Sequence, residues 1–304
     1  MTPAVRLLLG WYRKHGRTLP WRDTTRRDGT PDAYRIFVSE LMLQQTQVAR
    51  VIPKYDEWIK HFPSWKRLAE ASTPDLLHAW AGLGYNRRAL QMRESAREVV
   101  ANGEPTDENG WRRLKGVGPY MAAALAEFAN HKRALVIDTN VRRVAGRVFL
   151  GIPYPNPTTD TRLLRALDRN IPDTGRHWDI PQAFMDLGSS ICTPRLPQCT
   201  VCPLRTVCKA APLFLSGRAG VKPRAKNTET RHRNKKYPDR IYRGRILAHI
   251  RAHGSTKIER LGPFIDEAYD AKRDIEWVRR MVDRMIKDQF IVEGKKGIVS
   301  LPKN

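Results

Sequence analysis

Apolar positions along this chain recur at helical rather than strand spacing over its first 215 residues. Leu7 to Tyr12 forms one amphipathic stretch, and His15 to Trp21 (His-Gly-Arg-Thr-Leu-Pro-Trp) breaks it. From Ala33 to Phe62, Ile36, Leu41, Val48, Val51, Tyr55 and Trp58 recur with the helical period, which predicts helix faces turned to a core. Pro53 predicts a helix start at that point, because an interior proline lacks the N–H its position needs. Thr73-Pro74-Asp75 reads as a helix start with proline early in the first turn. Asn86 to Asn102 reads as a longer helix closed by Gly103, and further helices are predicted over 139–150, 160–170 and 178–191. Strand signals are nearly absent up to residue 215, so an all-α arrangement of many short helices is expected there.

The pattern then changes. Ser216 to Lys236 is rich in Arg, Lys, Pro, Gly and Asn with few apolar side chains, and predicts an exposed basic linker. Beyond it, Ile241 to Ile250 and Ile275 to Ile286 are amphipathic, with a short helix predicted near Lys257 to Leu261. Phe290 to Leu301 reads as two apolar strands joined by Gly-Lys-Lys-Gly. Three helices and a hairpin suggest a winged helix-turn-helix, a module that docks DNA or protein.

One stretch organises the helical part. Leu114-Lys115-Gly116-Val117-Gly118-Pro119-Tyr120 is a tight turn between two helical runs, followed by the Ala-rich run to Ala129. Glycine lets backbone approach a ligand closely, and the free N–H groups at the following helix start suit an anion such as a phosphodiester. Ala134-Leu-Val-Ile137 then delivers Asp138 to the mouth of the next helix.

Charge sharpens that picture. With 55 Lys and Arg against 31 Asp and Glu, the formal net charge is +24, which favours a polyanionic partner. No apolar run approaches the ~18 residues of a membrane span, and the first ten residues have no signal-peptide pattern. A cytoplasmic protein is expected, nucleoid-associated in a bacterium, with no membrane partner. The four cysteines, Cys192, Cys199, Cys202 and Cys208, all fall within seventeen residues, spaced C-x6-C-x2-C-x5-C. In a reducing compartment such clustering points to metal rather than disulfides. Zinc and an iron–sulfur cluster both accept four thiolates, and spacing alone leaves that choice open.

The cysteine spacing, the Gly-Val-Gly turn and Asp138 together resemble the helix-hairpin-helix DNA glycosylases of the endonuclease III superfamily. Within it, Ser39-Glu-Leu-Met-Leu-Gln-Gln-Thr-Gln-Val48 is similar to the catalytic-glutamate segment of MutY-type adenine DNA glycosylases. Leu19-Pro-Trp-Arg22, Gly82-Leu-Gly-Tyr85, Ile137 to Arg143 and Gln182 to Gly188 match as well, so the resemblance covers roughly residues 5 to 210. It implies a mainly α, two-lobed fold with one 4Fe-4S cluster on the four cysteines and no other small-molecule cofactor. Residues 1–215 would form the glycosylase module: a six-helix lobe over about 23–135, and an iron–sulfur lobe from 1–22 and 136–215. A basic linker over 216–238 and a small α+β winged-helix-like domain over 239–304 would follow.

The resemblance also assigns roles. Glu40 would protonate the leaving adenine and handle the attacking water, and Asp138 would stabilise the oxocarbenium ion, with Asn140 supporting it. This parallels the two-carboxylate logic of glycoside hydrolysis, and a glutamate beside apolar residues is placed to hold a raised pKa. The base must leave the stack before it can react. Trp21, Arg22, Leu43, Gln44 and Gln182 would face the flipped adenine, and Gln45 and Tyr85 would wedge into the duplex. Lys115, Gly116, Val117 and Gly118 would hold the backbone. Tyr120 stands where bifunctional relatives carry a lysine, and tyrosine cannot form an imine. The resemblance therefore implies a monomeric, monofunctional enzyme on mismatched or damaged duplex DNA, removing adenine opposite 8-oxoguanine or guanine with little or no strand cleavage. Two departures stand out. Lys115 occupies a position usually held by proline, and the C-terminal residues read as a winged helix where the family usually carries a Nudix-like domain that reads 8-oxoguanine. Removal of thymine or uracil opposite guanine is the alternative reading, and a non-catalytic lesion sensor the minor one.

Overall fold

The computed structural model describes residues 1–22, 24–173, 175–221, 229, 231–233 and 235–303. Residues 222–228, 230 and 234 of the expected linker over 216–238 therefore lie outside the described residues. The chain folds into two compact units, Met1–Glu40 with Glu104–Ala225, and Leu41–Gly103 with Lys226–Asn304.

In the first unit, α1 (Pro3–His15) starts with Pro3 in its first turn, where the missing N–H costs nothing, and buries Val5 and Leu8. It packs against α11 (Asp179–Ser190), which in turn packs on α9 (Thr139–Ala145). Leu8, Val141, Val144, Phe184 and Leu187 meet there in one core. The helix expected over 139–150 continues past Ala145 as a π-helical turn, Gly146–Leu150. α10 (Asp160–Asn170) lies where its periodicity placed it. The glycine turn joins α7 (Glu108–Arg112) to α8 (Pro119–Asn130). Asp107 caps α7 by accepting the Gly110 N–H at 2.7 Å.

α2 (Ala33–Leu43) crosses the boundary between the units at Glu40. In the second unit, α3 (Val48–His61) contains Pro53 in its interior, so the expected helix start at Pro53 is corrected. α3 instead starts five residues earlier, at Val48, after the turn that follows Leu43, where Gln45 takes φ 55°. Pro53 is exposed and leaves the Ala49 carbonyl without its usual i+4 donor. α4 (Trp65–Ala69) packs along α6 (Arg87–Asn102), and α5 (Thr73–Ala79) touches both α3 and α6. Ser72, not Thr73, caps α5, accepting the Asp75 N–H at 3.0 Å.

The C-terminal part of this unit has the expected three helices, α13 (Asp239–His253), α14 (Ile258–Ile265) and α15 (Ala271–Lys287). α12 (Ala211–Leu215) precedes them in the first unit. A three-stranded antiparallel sheet of order β1-β3-β2 completes it. β2 (Val292–Glu293) and β3 (Ile298–Ser300) are the expected hairpin, with Val292 opposite Ser300. β1 (Ser255–Lys257) was not legible in the sequence, since Ser-Thr-Lys carries no apolar alternation. Lys235, expected in an exposed linker, is buried. Its Nζ lies 2.6 Å from both Asp266 and Asp274 and faces the Trp277 ring. Leaving water is costly for a lone ammonium, and two carboxylates offset it.

Candidate active site and cysteine cavity

Glu40 closes the first unit's share of α2. Phe37, Val38 and Ser39 before it are buried, and Glu40 itself is 9% exposed. Burial pushes its pKa up to about 7; the Tyr120 hydrogen bond opposes the rise, the Asp138 charge adds to it, and Arg22 opposes it. The Tyr120 hydroxyl donates to Glu40 Oε2 at 3.3 Å. Tyr120 sits in the first turn of α8, behind Pro119. Burial, then the charges of Glu40 and Asp138, hold its phenol well above the ordinary tyrosine value, so it stays protonated.

Asp138 caps α9. Its Oδ1 accepts the Val141 N–H at 2.5 Å and its Oδ2 accepts from Asn140 Nδ2 at 2.7 Å. Burial raises the Asp138 carboxyl, and these N–H donors resist that rise. Glu40 has a single hydroxyl donor and starts from the higher intrinsic pKa. The N–H donors therefore favour the charged form at Asp138 more than at Glu40, the kind of difference that sets acid apart from anion. Asn140 is itself held, because Arg143 Nη2 donates to its Oδ1 at 2.8 Å. Arg143 Nε donates to the Cys192 carbonyl at 2.8 Å, so a hydrogen-bonded line runs from Asp138 to the first cysteine. Gly188 makes room for it: a Cβ there would lie 2.9 Å from the Asn140 Cβ.

Arg22 is oriented from below. Its two terminal nitrogens reach the Asp186 carboxylate at 2.7 and 2.8 Å. Burial alone would raise Asp186, and the guanidinium of Arg22 together with Arg17 outweighs it, holding this carboxylate below its usual range. Gln182 Oε1 accepts from the Tyr12 hydroxyl at 3.2 Å, and Trp21 is buried. Sequence reasoning passed over Asp186, Tyr12, Arg17 and Arg143. Asp186 lies four residues, one helical turn, after Gln182, and that spacing was the available signal.

The other expected base-pocket and wedge residues, Leu43, Gln44, Gln45 and Tyr85, lie in the second unit. Leu43 and Gln44 are half-buried, Gln45 is exposed, and Tyr85 is 53% exposed. Both Gln45 (φ 55°) and Tyr85 (φ 48°) take left-handed backbone, which is uncommon away from glycine. Arg88 holds both turns. Its Nη1 donates to the carbonyls of Leu41 (2.8 Å), Met42 (3.1 Å) and Gln44 (2.6 Å). Its Nη2 donates to Thr46 Oγ1 (3.2 Å) and to the Leu83 (3.3 Å) and Gly84 (3.1 Å) carbonyls. These carbonyls include end-of-helix acceptors of α2 that have no partner in the helix. Arg88 was also missed, since a buried arginine that pairs with carbonyls leaves no sequence pattern.

In the hairpin, Gly116 takes φ +78° and Gly118 caps α8. Val117 is buried and Lys115 is exposed.

The four cysteines line one cavity of about 370 Å³, counting its open side. All four thiols are free of disulfides. Burial pushes Cys202 up to about 11 and raises Cys199 and Cys208. Buried Arg147 donates to Cys192 Sγ at 3.2 Å and to the Thr193 carbonyl at 2.9 Å. Among the described residues, no three Cys, His, Asp or Glu side chains converge tightly enough for a single ion. No described helix is long and apolar enough to cross a membrane.

The family model of the HhH-GPD superfamily base excision DNA repair proteins matches residues 38–168. The adenine DNA glycosylase of Mus musculus is 40% identical over 209 residues, 67% of this chain and 41% of that protein. This chain thus spans less than half of the mouse relative. The adenine DNA glycosylase of Mycobacterium tuberculosis is 32% identical over 310 aligned positions, 97% of this chain and 92% of that protein. A solved thermostable thymine-DNA glycosylase shares the fold with a TM-score of 0.62 and 27% identity, over 68% of this chain and 94% of that one.

Proposed function

The chain belongs to the adenine DNA glycosylase family of the helix-hairpin-helix base-excision superfamily, and from that premise we propose that it removes adenine mispaired with 8-oxoguanine or guanine from duplex DNA. The observation that carries this reading is the buried pair of Glu40, poised near pKa 7 under the Tyr120 hydroxyl, and N–H-bonded Asp138.

In the proposed reaction the adenine leaves the stack and Glu40 gives its proton to a ring nitrogen. The bond between base and sugar then breaks, and its electron pair goes to the base. The sugar cation that remains is stabilised by ionised Asp138, which the Val141 and Asn140 donors keep oriented. Glu40, now a carboxylate, takes a proton from the attacking water, leaving free adenine and an abasic site. Acid–base help of this kind contributes roughly 10²–10⁴-fold. Tyr120 supplies no amine, so no imine forms and the strand stays intact. Arg22, fixed by Asp186, and Gln182, fixed by Tyr12, are the polar groups proposed to read the base, with Trp21, Leu43 and Gln44. Gln45 and Tyr85 are the proposed wedge, and the Lys115–Gly118 turn the proposed backbone clamp. We place the enzyme in the cytoplasm with chromosomal DNA, as a monomer.

We assign Cys192, Cys199, Cys202 and Cys208 to one 4Fe-4S cluster. The thiols surround a space rather than a point, which suits a multi-iron cluster better than one ion, and thiols with raised pKa values need a cationic centre to ionise them. When bound, the cluster ties residues 192–208 into one loop; base removal runs through none of its atoms.

Thymine or uracil removal opposite guanine is the second reading, supported by the fold shared with the thymine-DNA glycosylase. Duplexes with single A·8-oxoguanine, A·G, T·G and U·G pairs, treated with alkali after incubation, separate the readings. Breaks at the two adenine pairs are expected. Breaks confined to T·G or U·G overturn the adenine reading, and no breaks in any duplex favour a lesion sensor. Breaks without alkali, or efficient borohydride trapping, overturn the monofunctional assignment.

A further inference from the structure

The mechanism leaves the C-terminal winged domain without a role. We infer that the ends of α13 and α15 form a second duplex-binding surface, which grips the DNA backbone flanking the pair that Tyr85 enters. This rests on the reading of the chain as a DNA glycosylase.

Position is the first argument. In the second unit, Arg251 of α13 donates to the Leu77 carbonyl of α5 at 2.9 Å. Arg87, at the start of α6, reaches Asp288, just past the end of α15, at 3.5 Å. These two contacts bracket the segment between α5 and α6, which carries Tyr85. Arg240, at the start of α13, lies within electrostatic range of the Tyr85 phenol. The winged domain is thus fixed beside the turn that presents the exposed Tyr85 ring.

Charge is the second. Arg87 is 68% exposed, Arg240 47% and Arg284 58%, and Lys287 is exposed beside them on the last turn of α15. The carboxylates that face this rim are Asp288, towards Arg87 and Arg284, and Glu229, towards Arg240. Such exposed ion pairs are worth about 0–1 kcal/mol each, so a phosphate competes with them readily. Guanidinium groups match phosphate oxygens with paired N–H donors.

The kind of partner follows from what the rim lacks. A protein-docking face needs an apolar centre. The large apolar side chains that this domain exposes, Phe264, Val292 and Ile298, lie instead on α14 and the sheet. Beside the Tyr85 turn the surface is cationic, and its neighbour in the proposed complex is a duplex.

The test uses the full chain with Arg240, Arg284 and Lys287 all replaced by alanine, and a second variant with both arginines replaced by lysine. Binding to a duplex with a central A·8-oxoguanine pair is measured from 50 to 200 mM salt, with thermal unfolding alongside. The alanine variant is expected to unfold at the wild-type temperature. Its plot of log affinity against log salt should be shallower than wild type by about two to three, at roughly 0.9 for each phosphate that is no longer neutralised. The lysine variant should keep the wild-type slope. Hydroxyl-radical footprinting should show backbone on one flank that wild type protects and the alanine variant leaves open. An unchanged slope and footprint in the alanine variant overturn the inference while the glycosylase reading stands. If wild type itself neither binds nor cuts the adenine duplexes, it is that reading which fails.

Discussion

At the residue scale, Glu40 carries opposing demands. Its folded pKa of about 7 lies above the ordinary value of 4.5 because burial penalises the charged form. A raised carboxyl stabilises the fold fully below the unfolded pKa, and that stability is lost as pH rises through 7. Over a gap of this size the loss is on the order of 3 kcal/mol. Glu40→Gln removes both the proposed acid and the penalty. It should abolish excision, by about 10²–10⁴-fold in single-turnover rate, while leaving the duplex bound. Relative to wild type, its unfolding free energy should rise between pH 5 and pH 8, as urea melts at the two pH values will report. In the proposed mechanism the same titration sets the pH profile of catalysis. Wild-type excision should fall as pH rises through about 7, when Glu40 loses its proton, and fall again in acid when Asp138 gains one. A rate that keeps climbing above pH 8 would remove Glu40 as the acid. Asp186 offers a check on positioning. Asp186→Asn leaves Arg22 without its carboxylate, and should weaken discrimination between adenine and other bases more than it weakens duplex affinity.

At the element scale, two breaks decide where side chains go. Proline suggested the helix boundary at Pro53, yet α3 runs through it, because the true break is made at Gln45 by tertiary contacts to Arg88. A propensity rule lost here to carbonyl capture from 44 to 47 residues away in sequence. Pro53 thus sits exposed in a helix interior, where proline costs up to ~3 kcal/mol. Pro53→Ala should raise the unfolding free energy by about 1–2 kcal/mol, a gain visible as a higher melting temperature with unchanged excision. Arg88→Met should do the reverse. It strands buried carbonyls of Leu41, Met42 and Leu83, each worth about 1 kcal/mol or more, so a loss of about 2–4 kcal/mol is expected in urea melts. Legibility followed locality. The Asp138 cap, Pro119 in the first turn of α8 and the β2–β3 hairpin are short-range features, and each was readable. β1, the Lys235 ion pairs and the Arg22–Asp186 fork join residues far apart in sequence, and no local pattern encodes them.

At the scale of the whole molecule, charge and cysteines make separate statements. A chain of formal charge +24 should bind any duplex with strong salt dependence, and that dependence carries no base preference. In the proposed function, preference comes from the small set of groups around Glu40. The cysteine loop is tied to that set through Arg143 and Asn140, so its loss should be felt at Asp138. Protein purified without air should show broad absorbance in the blue, with about four irons and four sulfides per chain. Colourless protein holding stoichiometric zinc would reject the cluster. The most direct test of the account is the identity of the released base. Incubated with duplex containing one A·8-oxoguanine pair and no added alkali, the protein should release free adenine, seen by mass spectrometry, from an otherwise uncut strand, and its Glu40→Gln variant should release none. Release of adenine at the wild-type rate by Glu40→Gln, or release of thymine or uracil but not adenine from parallel T·G and U·G duplexes, would contradict it.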